Sequence, residues 1–271
     1  MPELPEVETV KETLKRQVLH KVIKNVKVYY PNIIAYPTST EFIKKLENEE
    51  IQNIKRRGKW IVFELTHYDL LSHLRMEGKY FIRDKKDKKI NHEHVCFEFK
   101  DNSTLRYLDT RKFGRMYLYS KDKTYIKKPL CELGLEPFDS NLNEKYLKEK
   151  YKNKTIPIKT ALLNQSIITG IGNIYADEIL FLSKIKPLKK SNKCTKKDRE
   201  NIIKNTKEVL LKAIEKGGTT IRSYTSAEGV HGLFQHELYV HGKDVCPICN
   251  HNIEKIRVGG RGTYYCPRCQ K

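Results

Sequence analysis

Met1-Pro2-Glu3-Leu4-Pro5-Glu6-Val7-Glu8-Thr9-Val10 opens the chain, and the rest of the sequence is organised around it. Val7, Val10, Leu14 and Val18 recur at helical spacing, which predicts an amphipathic helix from near Pro5 with one stripe on a core. Pro5 suits the first helical position, and Glu6 and Glu8 are acids where the helix dipole favours them. Pro2 and Glu3 are then a short arm ahead of the helix. The small Pro2 permits removal of Met1, which would leave a secondary amine at the head of the chain. An α-amino group has an ordinary pKa of about 7.7–8.0, and the positive end of the following helix pushes it lower. As a neutral amine it can attack the anomeric carbon of a sugar, and a secondary amine gives an iminium that is cationic without a further proton. Glu3, one residue away, is placed to act as a general acid. Taken alone, the stretch reads equally well as a plain helix start.

The 271 residues are enough for about two domains with cores of their own. Lys and Arg number 53 against 33 acids, a formal charge of +20 that favours a polyanionic partner such as nucleic acid. A solvated, lysine-rich surface would give the same balance. No run of about 18 apolar residues suggests a membrane span, and no apolar stretch near the N-terminus suggests export. Cys96, Cys131 and Cys194 are scattered, whereas Cys246, Cys249, Cys266 and Cys269 form two Cys-x-x-Cys pairs, a usage that fits a reducing, cytoplasmic setting.

Residues 22–119 read as short strands. Val26, Val28 and Tyr30 alternate, as do Val95, Phe97 and Phe99, then Leu105 and Tyr107, with a turn signal at Asp101-Asn102-Ser103. Trp60 to Phe63 and Leu70 to Met76 add strands, and Arg83 to Lys89 reads as a charged loop. The pattern predicts an antiparallel β-sandwich with the N-terminal helix packed on it. Lys127-Lys128-Pro129, followed by Gly134 and Pro137, reads as a linker. Beyond it, 142–150, 158–165, 174–183 and 196–216 have helical spacing, the last stopped by Gly217-Gly218. The class is therefore α+β, with expected domains at 1–130 (catalytic sandwich), 131–225 (helical) and 236–270 (cysteine-bearing hairpin).

The two cysteine pairs enclose sixteen residues, the spacing of a four-thiolate zinc site. Four protein ligands leave no open position, so such a zinc is structural; a redox pair is the alternative. Gly259-Gly260-Arg261-Gly262 between the pairs reads as a hairpin tip presenting Arg261. Thr169-Gly170-Ile171-Gly172-Asn173 joins two helices and offers donors for a phosphate, or simply a tight connection capped by Asn173. Lys59, Met76 and Phe113 read in isolation as a strand lysine and two core side chains. Thr219-Thr220-Ile221-Arg222-Ser223-Tyr224 reads as a surface loop.

The opening decapeptide, Thr169 to Glu178, Asp109 to Gly114 and the four cysteines together resemble the formamidopyrimidine-DNA glycosylases, bacterial repair enzymes for oxidised purines. The resemblance runs from Met1 to Cys269 in the family's order. It implies that Pro2 is the Schiff-base nucleophile, Glu3 an acid catalyst supported by Glu6, and Lys59 and Arg261 helpers in the eliminations. It further implies that Met76, Arg111 and Phe113 fill the gap left by an extruded nucleotide, that His92 and Asn173 contact DNA, and that Thr219, Thr220, Arg222 and Tyr224 form a lid over the base. Asn173 then sits in a helix–two-turns–helix signature, and the cysteines hold one structural zinc. The implied partner is damaged double-stranded DNA, bound by a monomer in the cytoplasm near the nucleoid, with no membrane role. Thr110 and Lys112 depart from the family's common proline and arginine, and Lys243-Asp244-Val245 is shorter than usual ahead of Cys246. The related endonuclease VIII type prefers oxidised pyrimidines and commonly has glycine where this chain has Leu4. A zinc-finger DNA binder without catalysis is the non-enzymatic alternative.

Overall fold

The computed structural model describes residues 1–219 and 232–271. The chain divides into two units, each with its own packing: Met1–Cys131, with Thr219 grouped to it, and Glu132–Gly218 with Leu233–Lys271. The cysteine-bearing hairpin thus clusters with the helices. Among the described residues no helix is long and apolar enough to cross a membrane.

The first unit starts with α1 (Leu4–Val18), which buries Val7, Val10, Leu14 and Val18 on the stripe its spacing predicts. Strands β1 (Ile23–Val28), β7 (Glu93–Phe99), β8 (Ser103–Leu108) and β6 (Lys79–Asp84) form one sheet in that order. A second sheet runs β2 (Ile34–Tyr36), β9 (Arg115–Ser120), β5 (Tyr68–His73), β4 (Trp60–Leu65) and β3 (Ile51–Arg57). One apolar core, from Val7 and Leu14 through Phe63 to Phe97, joins the helix and both sheets. α1 lies against β3 and β4, which brings its N-terminal arm to the β3–β4 turn.

Three local readings change. Residues 39–46 are a helix, α2 (Ser39–Leu46), not strand: Thr38 and Glu41 make a capping box, and Phe42 and Leu46 fill one face. The sandwich is not wholly antiparallel, because β2 pairs with β9 in parallel. Arg83 and Asp84 continue β6, since their backbone pairs with Thr104 and Ser103, so the charged loop begins after them.

In the second unit, α3 (Glu144–Tyr151), α4 (Ile158–Leu163), α5 (Asn173–Leu182) and α6 (Lys196–Glu215) occupy the predicted segments. Asn143 and Thr195 cap α3 and α6 through their side-chain oxygens. The α4–α5 connection is stapled by Gln165, whose amide donates to Ile171 O at 2.8 Å and accepts from Gly170 N at 2.9 Å. The chain closes with the hairpin β10 (Glu254–Val258) and β11 (Arg261–Tyr265). Ahead of Cys246 there is only the isolated bridge of Val245 to Asn252, so the short run there forms no strand of its own.

Candidate active site and metal centre

Pro2, Glu3 and Glu6 are buried at the head of α1. Pro5 occupies the first turn one position later than expected, since the helix begins at Leu4. The Glu3 N–H donates to Glu6 Oε2 at 2.8 Å, so this acid folds back on the arm. Its other oxygen accepts from the Thr219 N–H at 2.8 Å and the Thr219 hydroxyl at 3.1 Å. One carboxylate thereby fixes the arm and the start of the segment that follows Gly218. The terminal ammonium, here on Met1, is held below its ordinary 8.0, chiefly because burial disfavours the charge. Glu3 and Glu6 oppose that shift, and Lys59 reinforces it. Pro2 sits one residue further into the same surroundings.

Lys59 is only 6% exposed, in the β3–β4 turn behind Gly58, whose φ of 58° suits a residue without Cβ. Arg56 ties this turn to the helix, its Nε donating to Glu8 Oε2 at 2.6 Å and its Nη1 to Gly58 O at 3.2 Å. Behind the turn Trp60 meets His73 edge-on at 4.7 Å. His73 accepts from the Arg75 N–H at 3.0 Å, and burial pushes its pKa down to about 3, with Arg75 and Lys59 adding to the shift. It is a neutral imidazole beside a cationic lysine, and nothing in its sequence context marks it.

Two turns of the first unit carry Met76, Arg111 and Phe113. In Leu74–Gly78 the Gly78 N–H closes onto Leu74 O at 2.9 Å, Arg75 takes a φ of 53°, and Met76 is half-buried. The turn at Asp109 is held by that buried carboxylate, which accepts from Arg111 N at 3.0 Å and Gly114 N at 2.8 Å. His94 Nε2 bonds Asp109 O at 2.7 Å, and the Asp109 N–H donates to His92 O at 3.0 Å. Arg111 and Phe113 are pushed outward as a pair, the guanidinium 4.9 Å from the ring centre, with Phe113 48% exposed. Phe113 is therefore not the core residue its type suggests. Tyr107 supports both turns from beneath: a Cβ on Gly78 would lie 2.4 Å from its hydroxyl, and one on Gly114 1.8 Å.

In the second unit Asn173 and the Arg261 hairpin come together. Asn173 Nδ2 donates to Gly262 O at 3.0 Å, and Arg261 stands exposed beside it after Gly259 and Gly260, at φ 55° and 77°. The hairpin is seated by a fully buried ion pair, Lys159 Nζ to Asp177 Oδ1 at 2.7 Å. Lys159 also donates to Gly262 O at 3.1 Å and Thr263 Oγ1 at 2.8 Å. Asp177 Oδ2 meets His241 Nδ1 at 2.7 Å and accepts from Tyr264 N at 3.2 Å. Glu178 accepts from the N–H groups of Tyr239, Val240 and His241, and burial raises its pKa against their pull. Sequence reading missed Lys159, Asp177 and Glu178, which resemble ordinary surface helix charges.

The sulfurs of Cys246, Cys249, Cys266 and Cys269 all lie within 4.8 Å of one another, with Cys246–Cys269 at 3.8 Å and Cys249–Cys266 at 3.5 Å. Tetrahedral zinc with Zn–S of about 2.3 Å has an S–S edge of about 3.8 Å, so the donor set fits that ion and is closed to a fifth ligand. Thr220, Arg222 and Tyr224, expected in the lid, lie outside the described residues, leaving Thr219 and its contact with Glu6.

Three family descriptions cover the chain in order: the formamidopyrimidine-DNA glycosylase N-terminal domain matches residues 1–116, the H2TH domain of the same enzymes 133–225, and the zinc finger found in FPG and IleRS 243–271. Formamidopyrimidine-DNA glycosylase of Oceanobacillus iheyensis is 48% identical over all of this chain and 98% of the relative, and that of Shouchella clausii 46% over all of the chain and 99% of the relative. Among solved structures, Lactococcus lactis Fpg bound to abasic-site DNA superposes with a TM-score of 0.93 at 38% identity, covering 99% of each chain. A mutant of that protein with Fapy-dG-containing DNA gives 0.94 at 38% identity and full coverage of both.

Proposed function

The chain belongs to the formamidopyrimidine-DNA glycosylase family and is a bifunctional DNA glycosylase and abasic-site lyase for oxidised purines, and from that premise we propose how its residues divide the work. Met1 is removed, and the Pro2 amine attacks C1′ of the damaged nucleoside. The N-glycosidic bond breaks, its electron pair leaves with the base, and Glu3 supplies a proton to the departing side. The amine then loses its proton, the C1′–O4′ bond breaks as O4′ takes up a proton, and the iminium so formed between Pro2 N and C1′ acidifies the C2′ proton. Loss of that proton expels the 3′ phosphate by β-elimination, and a second proton loss expels the 5′ phosphate by δ-elimination. Lys59 lies beside the amine and assists the first elimination; Arg261 assists the second. Glu6 keeps the arm fixed through Glu3 N and Thr219.

Met76, Arg111 and Phe113 fill the gap left by the extruded nucleotide, and Arg111 reads the base opposite. His92 and Asn173 contact phosphates, and Thr219, Thr220, Arg222 and Tyr224 close over the base. The four cysteines hold one structural zinc, which fixes the hairpin that carries Arg261. The enzyme works as a monomer on damaged duplex DNA in the cytoplasm.

The observation that carries this reading is the buried Pro2–Glu3 arm, in surroundings that favour a neutral amine. Borohydride reduction with lesion-containing duplex tests it, because only an iminium gives a stable cross-link. Protein confirmed by mass to start at Pro2 should cross-link, and protein retaining Met1 should bind DNA without doing so. Equal trapping by both forms would remove Pro2 from its role.

A further inference from the structure

Within the second unit, the hairpin tip that carries Arg261 is seated on two consecutive residues of α4. Lys159 holds the returning strand through Gly262 O and Thr263 Oγ1, and Asn173 Nδ2 donates to the same Gly262 O. Thr160, the next residue of α4, meets the other side of the turn at Gly259. A Cβ placed on Gly259 would lie 2.7 Å from Thr160 Oγ1, 3.5 Å from its Cγ2 and 3.6 Å from its Cβ. Gly260 shares the left-handed backbone, at φ 77° against 55°, yet a Cβ there would meet nothing within 4 Å. Gly259 is therefore required both by its φ and by what it touches, and Gly260 by its φ alone.

The Thr160 contact is one of shape. Its Oγ1 is buried and has no hydrogen-bond partner among the described residues, so the hydroxyl fills space rather than serving a donor or an acceptor. A β-branched side chain on a helix has few rotamers into which it can retreat, which makes Thr160 a firm stop for the turn. Arg261 is exposed between Gly259 and Gly262, and its carbonyl accepts from Thr263 Oγ1 at 3.1 Å. The guanidinium is thus carried on a short span held at both ends, and moving either support moves the span.

We propose that Thr160 is a positioning residue for Arg261: its bulk sets how closely the tip approaches α4, and through Arg261 it sets how far the reaction runs beyond β-elimination. The proposal rests on the assignment of Arg261 to the second elimination, in which a proton leaves C4′ and the 5′ phosphate departs with its bonding electrons. Glycosidic cleavage and β-elimination, carried by Pro2, Glu3 and Lys59, do not pass through this contact.

The test uses the zinc-loaded full chain in single turnover on a 5′-labelled duplex with a pre-formed abasic site. The unsaturated aldehyde end left by β-elimination separates on a gel from the 3′ phosphate left when δ-elimination follows. In Gly259→Ala the tip must lift by several tenths of an ångström to restore ordinary contact with Thr160. Its ratio of δ to β product should fall by roughly tenfold, since small misplacements of an assisting group are costly. Gly260→Ala should stay near the parent. Thr160→Ala should lower the ratio by withdrawing the stop, and Thr160→Val should keep it, because valine restores the bulk without the hydroxyl. Combining Thr160→Ala with Gly259→Ala should recover the ratio, since the added Cβ would face the Cβ retained at position 160 at 3.6 Å, an ordinary contact. Recovery of this kind marks a direct contact. Metal analysis should find about one zinc per chain throughout, and borohydride trapping should stay at the parent level. Thr160→Ala and Thr160→Val leave the hairpin sequence untouched and decide the question if Gly259→Ala fails to hold zinc. Equal losses in Gly259→Ala and Gly260→Ala would overturn the proposal in favour of backbone strain. So would a double variant no better than Gly259→Ala, or a Thr160→Val ratio as low as that of Thr160→Ala. Arg261→Gln separates the two levels: a shifted ratio there beside unshifted Thr160 variants sinks this proposal alone. An unshifted ratio in Arg261→Gln removes Arg261 from the second elimination, and the proposal with it.

Discussion

Replacing Asp177 with asparagine should damage the second unit more than replacing Lys159 with methionine, although both break the same ion pair. The pair is wholly shielded from solvent, with Nζ and Oδ1 2.7 Å apart. Removing one partner of such a pair costs about 3–5 kcal/mol, because the remaining charge stays buried without its counter-charge. Asp177→Asn meets that case in full. The Lys159 ammonium keeps Gly262 O and Thr263 Oγ1, which are neutral acceptors. Lys159→Met instead leaves the carboxylate with Tyr264 N at 3.2 Å and His241 Nδ1 at 2.7 Å, so it keeps two hydrogen-bond partners within the fold. Its cost should be about 1–3 kcal/mol. For a protein of this size the asparagine variant should lose roughly 6–20 °C in unfolding midpoint. Circular dichroism on zinc-loaded protein measures the midpoint, and urea titration gives the free energy. If the two variants cost the same, or the methionine variant costs more, the asymmetric account of this site is wrong.

Three further outcomes are expected. Burial and Lys59 lower the pKa of the amine on Met1, and Pro2 lies in the same surroundings, so trapping by the Pro2 form should persist to more acidic pH than an exposed amine would allow; Lys59→Gln removes a repelling charge and should move the acid limb to higher pH, so a limb that stays fixed counts against the contact. Cys249→Ser should lose about one zinc per chain by metal analysis and weaken DNA binding through a disordered hairpin, and undiminished affinity without metal would remove the zinc from its structural role. Arg111→Ala should relax the preference for cytosine opposite the lesion by roughly 1–3 kcal/mol while trapping persists, as read from excision across all four opposing bases; an unchanged profile would make Arg111 a phosphate contact instead.

Much of this was legible because the relevant chemistry is local in sequence. The Pro-Glu arm precedes an apolar stripe of period 3.6, and the cysteine pairs sit at metal-ligand spacing, so each identifies itself within a few residues. What stayed hidden depends on partners far along the chain. Lys159 and Asp177 look like two surface charges until the helices bring them together with Gly262 and Thr263. His73 is an unremarkable strand histidine until burial beside Lys59 fixes it as neutral. β2 pairs with β9 across some eighty residues, and three residues of strand carry no sign of their direction. The helix α2 is different: its capping box and its Phe42–Leu46 spacing were readable, and the surrounding strand pattern masked them.

Tyr107 couples the two turns that carry Met76, Arg111 and Phe113. Its hydroxyl occupies the space where Gly78 or Gly114 would carry a side chain, and its ring carbon Cζ would still lie 2.8 Å from a Cβ on Gly114 after the oxygen was gone. A lineage therefore cannot widen either glycine first, and trimming the tyrosine to phenylalanine does not open the way at Gly114. Replacing the tyrosine by something smaller would leave a cavity in the core before any glycine had changed to fill it. Gly78, Tyr107 and Gly114 therefore constrain one another, so the backbone beneath Met76 and Phe113 can accept a side chain at either glycine only if the tyrosine and its surroundings shift with it.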